Sequence, residues 1–239
     1  MDALARLGGQ AWFRLGDTDL ATHLYRTQRI HEGATLSQIT HEISSSLGVR
    51  SSLLPMSDDP VKTYLTLASG EEVGFQDYFV RFHHDVPVSA IRFEGASRAV
   101  PSPGVIESLS SADTVIVCPS NPLVSIGPIL SVPGISDTVA ARRDSVVAVS
   151  PIIAGRALKG PADRLMSELS HEPSAAGVAR LYAHLAATMI IDVADAALAD
   201  DIEATGMSCV VTDTVMSTPD KAMELAKRAV DASGSSHAA

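Results

Sequence analysis

Short runs of apolar, β-branched residues that alternate with helical stretches constrain the fold of this chain more than any other feature. The runs at 114–118, 145–149, 189–191 and 209–211 are typical of strands that are buried on both faces. Helical stretches separate these strands, which predicts βαβ units joined into a parallel sheet by right-handed crossovers. Since 46% of the residues are hydrophobic and only 4% are aromatic, Val, Ile, Leu and Ala must fill the core of this α/β fold.

The rest of the chain lacks this regular alternation of apolar strands and helical stretches. Thr35 and Gln38 form a capping box at the start of a helix that Gly48 ends, and the stretch 75–82 fits either a helix or a strand. We predict a helical segment at 1–48, a small α+β insertion at 49–100, a Rossmann-like core at 101–232 with helices on both faces of its parallel sheet, and a disordered tail at 233–239.

Charge and the length of apolar runs exclude several classes of protein. The chain has 18 Lys and Arg against 28 Asp and Glu, a formal net charge of −10, and no basic cluster. It is therefore a poor candidate for nucleic-acid binding, which depends on neutralising phosphates. No apolar run reaches the length of a membrane span and the start lacks a secretory pattern, so we expect a cytoplasmic protein. Cys118 and Cys209 lie in apolar runs and are predicted to be buried free thiols.

Small polar residues follow the predicted strands. The loops at 119–128, 150–161 and 212–214 hold hydroxyls, an amide and glycines, and Arg156 and Lys159 add positive charge to the second loop. Ligands of parallel sheets bind beyond the carboxyl ends of the strands, and helix N-termini there favour anions such as phosphate. The loops at 119–128 and 150–161 run into helix N-termini, and we therefore predict an anion site formed by these two loops. The alternative is that Pro, Ser and Gly serve only as turn residues.

A polar stripe lies in the helix that begins near Asp19. Helical spacing places Asp19, His23 and Arg26 on one side, with Leu20 and Leu24 beside them facing a core. The stripe is either a functional surface or an N-cap aspartate with solvated partners.

Other candidate motifs are weaker. The loop at 54–60 brings carboxylates between two prolines, which fits either a site or a simple turn. The pair His83-His84 has no Cys or carboxylate at metal-ligand spacing, so we expect no zinc site there. No Walker lysine loop and no G-x-G-x-x-G after a strand is present.

Four ordered motifs together resemble one known family. They are WFRLGDTDLATHL at 12–24 followed by Arg26-Thr27, LPMSD at 54–58, PSNP at 119–122 with SIGPI at 125–129, and SPIIAG at 150–155. Over nearly the whole chain they resemble the 2-phospho-L-lactate transferase family of deazaflavin coenzyme biosynthesis. The resemblance implies transfer of a phospholactyl or phosphoenolpyruvyl group from a guanosine diphosphate conjugate to the ribityl hydroxyl of the deazaflavin Fo. GMP would leave and Mg²⁺ would assist.

The resemblance also implies site residues and partners. Asp17 and Asp19 are expected to be catalytic, and Arg14 is expected to contact the deazaflavin. Small-molecule substrates and a homodimer are implied, without an assignment of metal ligands. The substrate-binding residues that we predict are Arg14, His23, Arg26, Thr27, Ser57, Asp58, Ser120, Asn121, Ser125 and Lys159.

The start of the chain departs from the family pattern. Family members begin with a β-strand that leads into a glycine-rich loop, followed by Gly-Asp-Asp-like and Pro-Asp-x-Asp segments, and none of these is found here. We therefore expect the first strand or strands, and the carboxylates best suited to Mg²⁺, to be missing. The alternative function is a truncated, non-catalytic nucleotide- or anion-binding remnant of the same fold, and we expect the 239-residue chain alone to be nearly inactive.

Overall fold

A computed structural model describes residues 6–8 and 15–234. The α-helices, in chain order, are α1 (Asp17–His31), α2 (Leu36–Ser46), α3 (Val105–Ser111), α4 (Gly127–Leu130), α5 (Ile135–Ala140), α6 (Ala162–Glu168), α7 (Ala175–Tyr182), α8 (Ala199–Glu203) and α9 (Pro219–Ala232). The strands are β1 (Lys62–Leu67), β2 (Glu72–Gly74), β3 (Val88–Glu94), β4 (Val115–Val117), β5 (Val146–Val149), β6 (Ile152–Ile153), β7 (Arg156–Ala157), β8 (Thr188–Asp192) and β9 (Ser208–Thr212).

The N-terminal helices α1 and α2 follow the sequence signals in part. The capping box of α2 is confirmed, because the Thr35 hydroxyl accepts from Gln38 N while the Gln38 side chain accepts from Thr35 N. Helix α1, however, has Gly16 as its N-cap, so Asp19 lies inside the first turn and does not cap the helix. The prediction that Leu20 and Leu24 face a core is wrong, because α1 contains no buried residue and both leucines are exposed.

The insertion contains a three-stranded antiparallel sheet in the order β2-β1-β3. The chain turns at Ser69-Gly70 between β1 and β2, with Gly70 in the left-handed region at φ 88°. The ambiguous stretch after β2 forms one turn of π-helix over Asp77–Arg81. Tyr78 and the apolar residues of this sheet pack against Val124 and Leu165 of the following region. The insertion is thereby attached to the segment that follows β4 and to helix α6.

The predicted parallel sheet is confirmed. Strands β4, β5, β8 and β9 pair side by side in that order, and every pair is parallel. Each residue of β5 and β8 is buried, as the unbroken apolar runs predict. The fold class is therefore the expected Rossmann-like α/β type. The division into four regions stays a prediction, and residues 235–239 of the predicted tail lie outside the described residues.

Helices cover both faces of the parallel sheet. Successive side chains of a strand point to opposite faces, so each strand contributes to two clusters. On one face, Ala148 and Met189 pack with residues of α6 and α7 such as Met166 and Val178. On the other face, Val147, Val149 and Ile190 pack with Leu225 and Ala229 of α9. This two-sided burial fixes the sheet and therefore the positions of the loops at its carboxyl edge.

The two cysteines are less buried than predicted. Both cysteines are free, but Cys118 is exposed because β4 ends at Val117, and Cys209 is only half-buried, so the prediction of buried thiols is wrong. Burial of the Cys209 thiol raises its pKa. Across residues 6–8 and 15–234, no helix is both long enough and apolar enough to cross a bilayer.

Candidate functional site

A cavity of about 1080 Å³ lies at the carboxyl ends of the parallel strands. Its wall on the sheet side consists of the loops that follow β4, β5 and β9. The two loops predicted to share an anion site therefore meet at one cavity, which the loop after β9 also lines. Ser120, Asn121 and Ser125 of the first loop and Lys159 of the second loop all line it. Their substrate-binding roles stay predictions.

Asn121 is the most constrained polar residue of the cavity. Its Oδ1 accepts hydrogen bonds from Leu123 N at 2.9 Å and Val124 N at 3.2 Å. These bonds fix the amide orientation, so Nδ2 must act as the donor, and Nδ2 is buried with no hydrogen-bond partner in the described part of the chain. Because an unpaired buried donor is costly, Nδ2 is suited to an acceptor oxygen of a ligand. The backbone N–H groups of Leu123 and Val124 are already paired and are not available to an anion.

The loop after β5 lines the cavity on both sides of a short hairpin. Ser150 is buried and exchanges two hydrogen bonds with Ile152, which starts the hairpin of β6 and β7. Lys159 follows this hairpin and is exposed. In the part of the chain that the structure describes, Lys159 makes no ion pair. Its positive charge is therefore available to a ligand in the cavity.

Two buried carboxylates at the end of β8 hold the cavity loops. Asp195 accepts from Ala154 N at 3.1 and 3.0 Å, which fixes the β6–β7 hairpin at a residue with φ 49°. Asp192 accepts from Thr214 N and from the Thr214 hydroxyl, both at 3.0 Å, and Thr214 lines the cavity. Burial of Asp192 raises its pKa, but the hydrogen bonds from Ala194 and Thr214 outweigh burial, so the net pKa lies below the ordinary value.

Sequence reasoning missed these two aspartates. Neither residue lies in a motif quoted for the site, and their partners are far away in the sequence. The available signal was their position directly after an apolar strand, where side chains of a parallel sheet reach its ligand-binding edge.

The insertion contributes an aromatic wall that sequence reasoning also missed. Phe75, Gln76, Phe79 and Val80 line the cavity together with the polar loops. The rings of Phe75 and Phe79 stack, with centroids 5.6 Å apart and planes 23° apart. The available signal was the spacing of Phe75 and Phe79, because residues four positions apart lie on one face of a helix. The sequence left the stretch 75–82 open between helix and strand, so this spacing did not identify the pair.

The polar stripe of α1 is not among the residues that line this cavity. Asp17 Oδ1 accepts from Thr18 N at 2.9 Å, and Arg26 Nη2 donates to His23 Nδ1 at 2.7 Å. Asp19 and Thr27 are exposed. The structure thus brings His23 and Arg26 together as predicted by their spacing but does not join the stripe to the strand-end loops. The predicted roles of these residues stay predictions, and Arg14 lies outside the described residues.

Ser57 and Asp58 are also outside the cavity and make backbone contacts. The buried Ser57 hydroxyl donates to Val100 O at 2.6 Å. Asp58 accepts from Ser37 N at 2.6 Å and from the Ser37 hydroxyl at 2.9 Å, which caps the N-terminus of α2. Both residues therefore have structural contacts, and their predicted substrate binding stays a prediction.

The described residues do not fit a Mg²⁺ site by themselves. Among residues 6–8 and 15–234, no three His, Cys, Asp or Glu side chains form a group that could hold a metal ion. Asp192 and Asp195 already accept the hydrogen bonds described above. Mg²⁺ prefers carboxylate, phosphate and water oxygens in octahedral geometry, and no such set converges here.

Comparisons with known proteins agree with one another. A family model described as 2-phospho-L-lactate transferase CofD matches residues 3–231. The chain is 39% identical over 237 residues to the phosphoenolpyruvate transferase of Streptomyces griseus, covering 96% of this chain and 74% of that protein. It is 37% identical over 231 residues to the 2-phospho-L-lactate transferase of Methanosarcina mazei, covering 97% of this chain and 75% of that protein.

A solved structure shows a similar fold. The crystal structure of a Bacillus halodurans protein matches with a TM-score of 0.60 at 16% identity, covering 91% of this chain and 75% of that one. At this level of identity the likeness concerns the fold alone.

Proposed function

Because the chain belongs to the 2-phospho-L-lactate transferase CofD family, we propose that it transfers a phospholactyl or phosphoenolpyruvyl group from a guanosine diphosphate conjugate to the deazaflavin Fo and releases GMP. The chain is an enzyme of the transferase type. Its relatives from S. griseus and M. mazei bear the names of phosphoenolpyruvate and 2-phospho-L-lactate transferases, so the proposal includes either three-carbon acid.

One observation carries the proposal: Ser120, Asn121 and Lys159 line the same cavity at the carboxyl ends of the parallel strands. Parallel sheets bind ligands at this edge. A cationic side chain next to an oriented amide donor suits the oxygens of a diphosphate. Both groups lie on loops that a sheet buried on both faces holds in place.

The proposed reaction makes one P–O bond and breaks another. The acceptor hydroxyl oxygen attacks the distal phosphorus of the diphosphate, which carries the three-carbon acid. The bond from this phosphorus to the bridging oxygen breaks, GMP leaves with that oxygen, and the hydroxyl proton is released. Phosphoryl transfer of this kind depends mainly on positioning and charge stabilisation. We assign charge stabilisation to Lys159 and positioning of a phosphate oxygen to Asn121 Nδ2.

Mg²⁺ and a homodimer remain predictions. No step above is derived through Mg²⁺, because the described residues do not form a site for it. If the metal is required, addition of EDTA will abolish GMP release and excess Mg²⁺ will restore it. If the chain is a dimer, light scattering will give about twice the mass of 25.0 kDa.

The decisive experiment measures GMP release by the purified protein with Fo and each of the two guanosine diphosphate conjugates. Proposed activity requires GMP release that depends on Fo. Lys159→Ala is expected to lower the rate about 100-fold because it removes charge stabilisation of the transferring phosphoryl group. Lys227→Ala is the matched control, since Lys227 is also exposed but does not line the cavity.

Binding separates the two candidate functions. A non-catalytic remnant would bind GDP, measured by calorimetry, without any Fo-dependent turnover. If Lys159→Ala and Lys227→Ala behave alike in both assays, the assignment of the anion site to this cavity is wrong.

A further inference from the structure

The turn at the tip of the β6–β7 hairpin has an unfavourable backbone conformation. Ile153 pairs with Arg156 across the hairpin. The two residues between them, Ala154 and Gly155, have φ values of 49° and 75°. Positive φ at both positions is the pattern of a type I′ turn, which favours Asn, Asp or Gly at the first position because other side chains are strained there. Ala154 therefore needs support from outside the hairpin to keep this conformation.

Asp195 supplies this support from the turn that follows β8. Asp195 is only 6% exposed, and its two carboxylate oxygens accept from Ala154 N at 3.1 and 3.0 Å. In the part of the chain that the structure describes, no other group donates to Asp195, whereas Asp192 accepts from Ala194 and Thr214. Burial of a carboxylate with a single donor is unfavourable, so the contact is poorly suited to stabilising the fold and well suited to holding the hairpin tip.

The conformation of this turn sets the position of Lys159. The hairpin has two residue pairs, and in so short a hairpin the turn type fixes the register of β7 against β6. Loss of the turn frees β7 to slip, and a slip by one residue turns Ala157 and the following residues to the opposite side. Helix α6, which follows Lys159, is held by the fully buried side chains of Leu165 and Met166. The remaining freedom of Lys159 therefore depends on the hairpin.

We propose that Asp195 is a positioning residue of the anion site: it holds Ala154 in the turn that fixes the register of β7, and this register directs Lys159 into the cavity. The proposal rests on the proposed function for the identity of the anion, a diphosphate. Asp195 itself is not among the residues that line the cavity, so it acts through Lys159. Loss of Asp195 therefore lowers the anion affinity only while Lys159 is present.

Binding of inorganic pyrophosphate to the full chain, measured by calorimetry, tests the position of Lys159 without turnover. Asp195→Ala is expected to weaken pyrophosphate binding about tenfold, because Lys159 no longer stays in place. Removal of a negative charge by itself would strengthen anion binding, so the expected loss has the opposite sign to a simple charge effect. Unchanged or tighter binding in Asp195→Ala would overturn the proposal.

Two rescue variants test the mechanism through the turn. Asp195→Asn keeps an oxygen that can accept from Ala154 N and should retain most of the pyrophosphate affinity. Glycine adopts positive φ without strain, so Ala154→Gly added to Asp195→Ala should restore most of the affinity that Asp195→Ala loses. If neither variant binds pyrophosphate better than Asp195→Ala, the proposal is wrong.

A double-mutant cycle tests whether Asp195 acts through Lys159. In a chain that already carries Lys159→Ala, Asp195→Ala should change the pyrophosphate affinity by less than about twofold, whereas independent sites would show the full loss. The full tenfold loss in that background would contradict the proposal.

A destabilised variant distinct from the hairpin serves as the matched control. Ile202 of α8 is fully buried and does not line the cavity. Ile202→Val removes one buried methyl group and should lower the urea midpoint while leaving pyrophosphate binding as in the parent chain. An equal loss of pyrophosphate affinity in Ile202→Val and Asp195→Ala would show general destabilisation and overturn the proposal.

GMP release separates this proposal from the proposed function. The rate should fall about tenfold in Asp195→Ala, less than in Lys159→Ala, because Lys159 is displaced and not removed. If pyrophosphate binding behaves as expected but the parent chain releases no GMP with Fo, the proposed function fails and the positioning role stands. If GMP is released and Asp195→Ala matches the parent chain in rate and affinity, the positioning role fails alone. If the parent chain does not bind pyrophosphate, or Lys159→Ala binds it equally well, the positioning role and the anion assignment both fail.

Discussion

The cavity loops and the N-terminal helix pair carry similar polar residues but hold them in different ways. At the end of β8, Asp192 and Asp195 are buried and accept hydrogen bonds from Thr214 N and Ala154 N, which belong to the loops after β9 and β5. In α1, by contrast, the candidate aspartates are exposed. Polar residues of one chemical type therefore differ in burial and contacts according to what the tertiary structure packs around them. A side chain held by distant segments gives a site its geometry, whereas an exposed one keeps its conformational freedom.

The largest effect expected from this comparison is loss of stability in Asp192→Ala. The change leaves the buried Thr214 N–H and hydroxyl and the Ala194 N–H without an acceptor, so we expect the free energy of unfolding to fall by about 3 kcal/mol. Urea denaturation measures this. The control is Asp19→Ala in α1, where an exposed side chain is removed and the change should be below about 0.5 kcal/mol. Equal losses in the two variants would contradict the comparison.

The same aspartate predicts a pH dependence. Its pKa in the folded chain lies below the ordinary value of 3.8. A group with a lowered folded pKa stabilises the protein above its unfolded pKa, and this contribution is lost as the pH falls through the folded pKa. Stability curves of the parent chain and of Asp192→Asn should therefore converge as the pH falls below 3.8. A difference between them that does not change with pH would show that the carboxylate charge is not the cause.

Two substitutions of Asn121 separate its structural contact from its ligand contact. Asn121→Ala removes the acceptor for Leu123 N and Val124 N and should cost about 1 kcal/mol of stability. Asn121→Asp keeps that acceptor but replaces the unpaired donor by an oxygen. It should weaken pyrophosphate binding at least about tenfold, because a carboxylate next to an anion is repulsive. If Asn121→Asp binds pyrophosphate like the parent chain, Nδ2 is not a ligand donor.

Asp58 tests the comparison at the N-terminal helix pair, because it contacts the start of α2. Because Asp58 caps α2 through Ser37, Asp58→Ala should lower the free energy of unfolding by about 1 kcal/mol. Calorimetry with GDP tests whether it has a second role. If GDP binding falls more than threefold while the stability changes as expected, the loop at 54–60 belongs to the substrate site as the sequence predicted.

The smallest effect is expected for the ion pair that joins α1 to α2. The guanidinium of Arg29 and the hydroxyl of Tyr25 donate to Glu42 and lower its pKa from 4.5 to about 2. The contribution of the Glu42 carboxylate to the free energy of unfolding is present above pH 4.5 and is lost as the pH falls towards 2. Glu42→Gln should therefore shift the urea midpoint less than any variant above, and added salt should reduce the shift further. A midpoint shift as large as that of Asp192→Ala would break the comparison.

Prediction from sequence was most successful where structure depends on local patterns. The β-branched runs predicted all four strands of the parallel sheet. Burial on both faces requires an unbroken apolar sequence and holds for the central strands β5 and β8, whereas the edge strands β4 and β9 are only partly buried. The pair Thr35 and Gln38 predicted the start of α2, because a capping box needs only residues three positions apart. It was least successful for Leu20 and Leu24, since helical periodicity shows that residues share a side but not what covers that side.

The sequence by itself determined the parallel sheet and the edge at which its polar loops meet, because the strand pattern is local and parallel strands all end at one edge. Only the tertiary structure decided which side chains form the walls of the cavity. The position of Phe79 depends on packing of the insertion against Val124 and Leu165. The roles of Asp192 and Asp195 depend on backbone donors that are distant in the sequence. Such contacts arise from the packing of whole elements, which no short pattern of residues encodes.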